Sequence, residues 1–392
     1  MQPIKIKEDI YWVGGIDWDL RNFHGYLTQQ GSTYNAYLIM DEKITLVDTV
    51  KHYLYDEMLE RISKIIDPSK IDIIISNHVE MDHSGGLPKI MELCPKATLV
   101  TCEQGAKGLK AHYRKDWKFQ IVKTGDSISL GKRTMDFILT PMVHWPDNMV
   151  GYLKEEKILF SNDSFGQHLA TVERFDDEYP LDIILKEAKK YYANIVMPYD
   201  IQAQNELNAY ATLPGVEIIA PSHGLIWRKH IPEIISEYQK WSKNETEERA
   251  VIVYDSMWDS TQKIARELQG QLEEKGITVQ PFNLKTNHIS DIMSEIQTAK
   301  YIFVGSPTLN NQMLPTVGAF LTYLKGLRPK NRKGFAFGSY GWGGQSIGLV
   351  EADLKSIGME LAEMLRVNYV PDRTVLKGEI QTRLDSLLKT SL

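Results

Sequence analysis

Apolar residues recur along this chain with two periods, and the switch between them outlines its elements. Residues 10–13, 33–39 and 44–48 are short runs rich in β-branched and aromatic side chains, set apart by Gly14-Gly15 and Asp41-Glu42, and they predict strands. Residues 53–66 place apolar side chains at helical spacing and stop before Asp67-Pro68, which predicts a helix. The run 71–75 reads as a buried parallel strand, 87–94 as a helix, and 97–101, 135–141, 157–161 and 216–220 as further strands. Residues 242–249 contain no apolar residue and read as a linker. Beyond it, buried strands at 250–254, 301–305 and 334–338 each run into turns rich in Gly and hydroxyl residues. A chain of 392 residues is too long for one ordinary core, so the pattern predicts two domains, 1–247 and 248–392.

Composition narrows the function classes. With 43% hydrophobic and 24% charged residues the chain is globular. A formal net charge of −6 without a Lys/Arg cluster argues against nucleic acid as a partner. No apolar run approaches the roughly 18 residues of a membrane span, and the first residues lack the apolar segment of a signal peptide. The two cysteines, Cys94 and Cys102, form no Cys-x-x-Cys pair. They fit a reducing cytoplasm and leave no rubredoxin or iron–sulfur centre on this chain.

The chemistry gathers at strand ends. The strand 71–75 runs into Asn77-His78-Val79-Glu80-Met81-Asp82-His83-Ser84-Gly85-Gly86, with two His and two carboxylates within six residues. Groups of that kind are costly to bury unless a positive charge offsets their desolvation. His144 follows the strand 135–141, Asp163 ends 157–161, and His223 follows 216–220. The carboxyl end of α/β strands is where ligands sit. His78, His83, His144 and His223 with Glu80, Asp82 and Asp163 exceed the four ligands of one tetrahedral zinc. They suit two metals with one bridging carboxylate and open positions, a donor set typical of non-haem iron.

Three loops of the second domain suit a flavin. Ser256, Met257, Trp258, Asp259, Ser260 and Thr261 form a hydroxyl-rich turn that opens a helix, a phosphate site built without Gly-Lys-Ser/Thr. Ser306, Pro307, Thr308, Leu309, Asn310 and Asn311 form the second loop. Ser339, Tyr340, Gly341, Trp342, Gly343 and Gly344 form the third, where Tyr340 and Trp342 can pack on a ring and the glycines admit its polar edge. Asp259 sits oddly in a phosphate loop and is expected to point outward.

His-x-Glu-x-Asp-His resembles the His-x-His-x-Asp-His signature of the metallo-β-lactamase fold with Glu80 in place of the second His, and in this it is similar to the flavodiiron proteins. The loop at 256–261 resembles the flavodoxin phosphate loop. The resemblance spans essentially the whole chain. It implies an α/β architecture: an N-terminal metallo-β-lactamase-like αβ/βα sandwich followed by a flavodoxin-like doubly wound parallel sheet. It further implies that His78, Glu80 and His144 hold one iron, that Asp82, His83 and His223 hold the other, that Asp163 bridges, and that FMN occupies the second domain. His24, flanked by Phe23 and Gly25, lines the pocket in that family; it is the candidate catalytic donor, expected to favour O2 over NO. His168, His112, Tyr191 and Tyr192 are weaker candidates for the pocket wall. The expected function is reduction of O2 to water and/or NO to N2O. Electrons would come from a rubredoxin-like protein or a reduced deazaflavin coenzyme. The family arrangement, a head-to-tail homodimer or a dimer of dimers, sets the flavin of one subunit against the irons of the other. The alternatives are a dinuclear zinc hydrolase fused to a flavodoxin module and a flavin carrier with a vestigial metal site.

Overall fold

The computed structural model describes residues 1–389. They form two compact units, one of Met1–Tyr191 with Ile201–Gln239, the other of Tyr192–Asp200 with the chain from Lys240 onward. Among the described residues no helix is long and apolar enough to cross a membrane.

The first unit is a sandwich of two sheets. One has seven strands in the order Ile4–Lys7, Ile10–Trp12, Tyr37–Ile39, Thr45–Val47, Ile73–Ile75, Thr98–Thr101, Phe119–Ile121. The other has five, in the order Ser127–Ser129, Thr134–Leu139, Met149–Leu153, Ile158–Asn162, Ile218–Pro221. Side chains alternate across each strand. Ile73 and Ile75 enter the core between the sheets with Trp12, Val47, Phe137 and Phe160. Ile74 joins Leu38, Leu46 and Leu99 on the outer face, against Met58, Ile62 and Ile90 of the covering helices. Three strands matter for the site. Ile73–Ile75 lies parallel to both of its neighbours, and Ile158–Asn162 is parallel to Ile218–Pro221, so their carboxyl ends open toward ligand-bearing loops.

The expected strand over 33–39 is two strands in different sheets, Ser32–Tyr34 and Tyr37–Ile39. Asn35 breaks it: its Oδ1 accepts from Trp12 Nε1 at 2.8 Å, and its Nδ2 donates to the Pro221 carbonyl at 2.8 Å. The expected helix over 53–66 is shorter, Tyr55–Ser63, preceded by a 3-10 turn at His52–Leu54. The linker read at 242–249 also shrinks. The helix Ile231–Ser242 and the strand Glu247–Tyr254 occupy its ends, and buried Asn244 donates to Asp200 at 2.7 Å. Its polar composition reflects specific bonding rather than freedom.

The second unit is a parallel sheet in the order Thr278–Asn283, Glu247–Tyr254, Ala299–Gly305, Lys333–Tyr340. The fifth position is shared. Glu360–Leu361 pairs with the start of Lys333–Tyr340, and Leu365–Asn368 pairs with its end. This is the flavodoxin-like order, with helices such as Ser260–Glu274 returning between strands.

Candidate functional site

The first candidate ligands come off Ile73–Ile75 through a loop whose backbone is tied down before any ion is considered. Asn77 donates from its amide and Nδ2 to buried Asp48 at 2.8 and 2.9 Å. His78 is fully buried, and its Nδ1 donates to Asp147 Oδ2 at 2.9 Å, an oxygen that also accepts from the Val79 amide at 2.7 Å. With Nδ1 so used, Nε2 is left as the coordinating nitrogen. The four-residue helix Met81–Ser84 then turns Asp82 and His83 into the same space. His223 is oriented like His78, its Nδ1 donating to the Thr33 carbonyl at 2.8 Å.

All seven sequence-predicted ligands converge, in two groups that could each hold a metal: His78, Glu80, His144 and Asp163, and Asp82, His83 and His223. Asp163 serves both. Its Oδ2 lies 3.3 Å from His144 Nε2 and 3.7 Å from His78 Nε2, while its Oδ1 lies 3.1 Å from His83 Nε2 and 3.3 Å from His223 Nε2. Glu80 Oε2 completes the first group, 3.4 and 3.3 Å from His78 and His144. Asp82 completes the second, 3.4 and 3.3 Å from His83 and His223. Bonds of about 2.1 Å to a shared ion give ligand–ligand edges of about 3.0 to 3.4 Å, close to these separations. Both oxygens of Asp82 and Asp163 and the Nε2 atoms of His78 and His83 are buried with no hydrogen-bond partner. Orphaned acceptors in such number need a cation. The residues fit a carboxylate-bridged pair of divalent ions.

The electrostatics agree. Burial alone would lower the His144 and His223 imidazoles, but the Asp163 carboxylate beside both raises them, to about 9 and about 10. Burial would raise Glu80, yet contacts from His144, His24 and His78 hold it far below the ordinary carboxylate range. These anions demand positive charge, and in the absence of an ion the imidazoles carry protons to supply it.

His24 stands at the mouth of the site in a left-handed conformation, φ 53°, and its Nε2 meets Glu80 Oε1 at 2.8 Å. Glu80 thus gives one oxygen to the metal group and the other to His24. A cavity of about 550 Å³ opens here, lined by Phe23, His24, Lys51, Glu80, His144 and Trp145 among others. His112 also borders it. Lys51 Nζ lies 5.0 Å from both the Phe23 and Tyr34 ring centres. His168, read from sequence as a marginal candidate, is fully buried and packs on His223 at 4.9 Å and Tyr191 at 5.1 Å. Burial and the neighbouring His223 keep it neutral. Tyr191 faces His223 at 5.8 Å, whereas the ring of Tyr192 packs on Trp241 at 5.4 Å.

Sequence reasoning missed the residues that position the ligands. Asn162 is the chief one. Its Oδ1 accepts from Asn148 Nδ2 at 2.9 Å, its Nδ2 donates to Ser222 Oγ at 3.1 Å, and its carbonyl accepts from the Ser222 amide at 2.7 Å. One buried side chain thereby ties together the turns that carry His144, Asp163 and His223. Its positive φ, 53°, suits Asn, which tolerates the left-handed region. Adjacency to Asp163 was the only signal in the sequence.

In the second unit the three flavin loops leave the same ends of adjacent parallel strands, Glu247–Tyr254, Ala299–Gly305 and Lys333–Tyr340. The helix Ser260–Glu274 has no side-chain cap, so its first-turn amides are available to a phosphate. Ser256 Oγ is buried and unpartnered, and Thr261 Oγ1 bonds Ser339 Oγ at 3.0 Å, joining the first and third loops. Trp258 and Trp342 are 88% and 84% exposed, and Asp259 is exposed, in a left-handed conformation. Ser306 does not present a free hydroxyl, because it accepts from the Leu314 amide at 2.9 Å and donates to the Pro307 carbonyl at 2.9 Å. Thr308 bonds Ser346 at 2.8 Å, Asn310 and Asn311 hold the loop in left-handed geometry, and Gly343 and Gly344 turn at φ 92° and 82°. An uncapped helix start, an orphaned hydroxyl and exposed aromatic rings fit a flavin mononucleotide.

Comparison with known proteins places these two sites in context. A family model described as ODP family beta lactamase matches residues 33–224, and one described as flavodoxin matches residues 252–385. The chain is 47% identical to the nitric oxide reductase of Moorella thermoacetica over 92% of its own length and 91% of the relative's. The solved rubredoxin oxygen:oxidoreductase from Desulfovibrio gigas superposes with a TM-score of 0.96 at 43% identity, covering 99% of both chains. The flavodiiron protein from Giardia intestinalis follows with a TM-score of 0.95 at 32% identity, covering 98% of this chain and 96% of that one.

The Asn162 tie generates a test. Asn162→Gly keeps the backbone geometry but removes both side-chain bonds, so metal affinity measured by chelator competition is expected to fall about 10- to 100-fold. Unchanged affinity in a folded variant would show that the tie does not position the ligands.

Proposed function

This chain belongs to the flavodiiron protein family, and on that premise we propose that it reduces O2 to water, NO to N2O, or both, at a non-haem diiron site fed by FMN. The observation that carries the reading is the division of the two Asp163 oxygens between two groups of ligands. When bound, two ferrous ions and one reduced FMN supply four electrons, the number that takes O2 to water, whereas two NO need two.

The chain's own residues hold and orient. His78, Glu80 and His144 would hold one ion, Asp82, His83 and His223 the other, and Asp163 would serve both. Asp147 and the Thr33 carbonyl fix the imidazole planes of His78 and His223. Phe23 and Trp145 give the mouth an apolar wall that limits competing water. His24 holds the outer oxygen of Glu80 and, being exposed, can exchange its proton with solvent. Reduction of O2 consumes four protons per gas molecule and reduction of NO one, so a proton-bearing group at the mouth weighs more heavily on O2.

We assign the electron donor to a separate protein or coenzyme. Cys94 and Cys102 are both buried and free, and the name of the Desulfovibrio gigas relative supports a rubredoxin-like protein; a reduced deazaflavin coenzyme is the other candidate. We assign the flavin to residues 248–392, and the assembly to a head-to-tail homodimer or a dimer of such dimers. A cavity of about 550 Å³ is far more than a diatomic gas requires, and it leaves room for a flavin edge from a second copy.

Gas consumption by the fully reduced, iron-loaded protein tests the function. His24→Leu with unchanged iron content is expected to lower the O2 rate about 10- to 100-fold, and the NO rate less. Equal losses would remove His24 as a selector, and turnover of neither gas would refute the reading. The dimer is checked by assaying across a dilution series followed by sedimentation: the rate should fall with the dimer fraction, and a fully active monomer would contradict it.

A further inference from the structure

Against the turn that carries the bridging ligand lies a carboxyl group that neither metal group uses. Glu206 sits on the helix Asp200–Tyr210 and is 3% exposed. Among the described residues its only partners are hydroxyls. Ser164 Oγ lies 2.7 Å from both of its oxygens, and Tyr210 OH donates to Oε1 at 2.5 Å. Among the described residues no Lys, Arg or His pairs with it. A carboxylate buried without a cation is expensive, and the usual resolution is a proton.

Its contacts lead directly to the site. Ser164 follows Asp163 in a turn held by the Ser161 hydroxyl on the Ser164 carbonyl at 2.8 Å and by the Phe165 amide on Tyr238 OH at 2.7 Å. The turn is flanked by two left-handed residues, Asn162 at φ 53° and Phe165 at φ 66°. The titratable groups facing Glu206 are Tyr210 on its own helix and Asp163 on the turn. Tyr238, on the helix Ile231–Ser242, faces Tyr210 in turn. Asp163 is the one that changes its electrostatic character when an ion binds.

We propose that Glu206 is a proton-exchanging carboxyl coupled to the bridging ligand, holding a proton while the two pockets are without ions and releasing it when ions bind there. The inference rests on the dinuclear reading of the site. The step is a proton transfer alone: the Glu206 O–H bond breaks, the proton passes to bulk buffer, and the Ser164 and Tyr210 hydroxyls remain to donate to the anion. Electron count is unchanged at Glu206. The direction follows from the neighbours. Burial raises this carboxyl, the Tyr210 and Ser164 hydroxyls lower it, and the anionic Asp163 raises it again, to about 7. A divalent pair on Asp163 reverses that last contribution, so the proton leaves. Any change of charge at the pair is then matched by a proton shift at Glu206, which makes the charge state of the site dependent on pH near neutrality.

The test uses redox-inert zinc and needs no turnover. Full-length apoprotein in unbuffered solution at pH 7 is titrated with zinc chloride, and the protons released per chain are counted for the native protein and for Glu206→Gln. Burial raises the native carboxyl of the apoprotein into the neutral range, so release from the native protein at pH 7 should exceed that of the variant by a measurable fraction of a proton per chain. The excess should grow toward pH 6 and vanish by pH 9. Infrared spectra give a second readout: a carboxylic acid band present in the native apoprotein, lost on zinc binding and absent from Glu206→Gln. Equal proton release with two zinc ions bound would overturn the inference and leave the dinuclear site standing. Failure to bind two zinc ions would instead sink the dinuclear site, and this inference with it.

Discussion

The structure depends on one carboxylate having two faces. Asp163 ends an interior strand, Ile158–Asn162, and directs Oδ2 toward His78 and His144 and Oδ1 toward His83 and His223. Neither oxygen has a hydrogen-bond donor of the ordinary kind. An arrangement of three carboxylates and four imidazoles, most of them buried, is costly as a purely protein object. Cations would relieve that cost, and the surrounding structure keeps the ligands in place for them.

That support comes from residues with no chemistry of their own. Asp147 and the Thr33 carbonyl choose which imidazole nitrogen points inward, and Asn162 ties three ligand turns into one unit. The αβ/βα sandwich makes this possible because parallel strands deliver their loops to a common edge. The flavodoxin-like unit uses the same device for a different ligand. Its loops expose backbone amides, hydroxyls and aromatic rings instead of imidazoles, so the same strand-end geometry binds a phosphate and a ring.

Much of this was legible in the sequence. The run His78-x-Glu80-x-Asp82-His83, and single candidates at the ends of three other strand patterns, were enough to single out all seven candidate ligands, because strand periodicity and ligand chemistry are both local; the fold followed from the resemblance those residues carry to the flavodiiron proteins. What escaped was nonlocal. Asn35 splits an apparent strand through bonds to Trp12 and Pro221, which no periodicity reveals. Asn162 reads as one more polar residue until Asn148 and Ser222 are seen against it. The stretch 242–249 looked like a free linker because its polar side chains make bonds, as Asn244 does with Asp200, that only the folded chain supplies. His24 was read as a donor free to face the gas, and its bond to Glu80 appears only in three dimensions.

The most direct test of the account is anomalous diffraction at the iron edge from crystals of the ferrous-loaded protein. Two peaks are expected, one among His78, Glu80 and His144 and the other among Asp82, His83 and His223, with one Asp163 oxygen directed at each. A single peak, or two peaks with Asp163 turned away from either, would contradict the account.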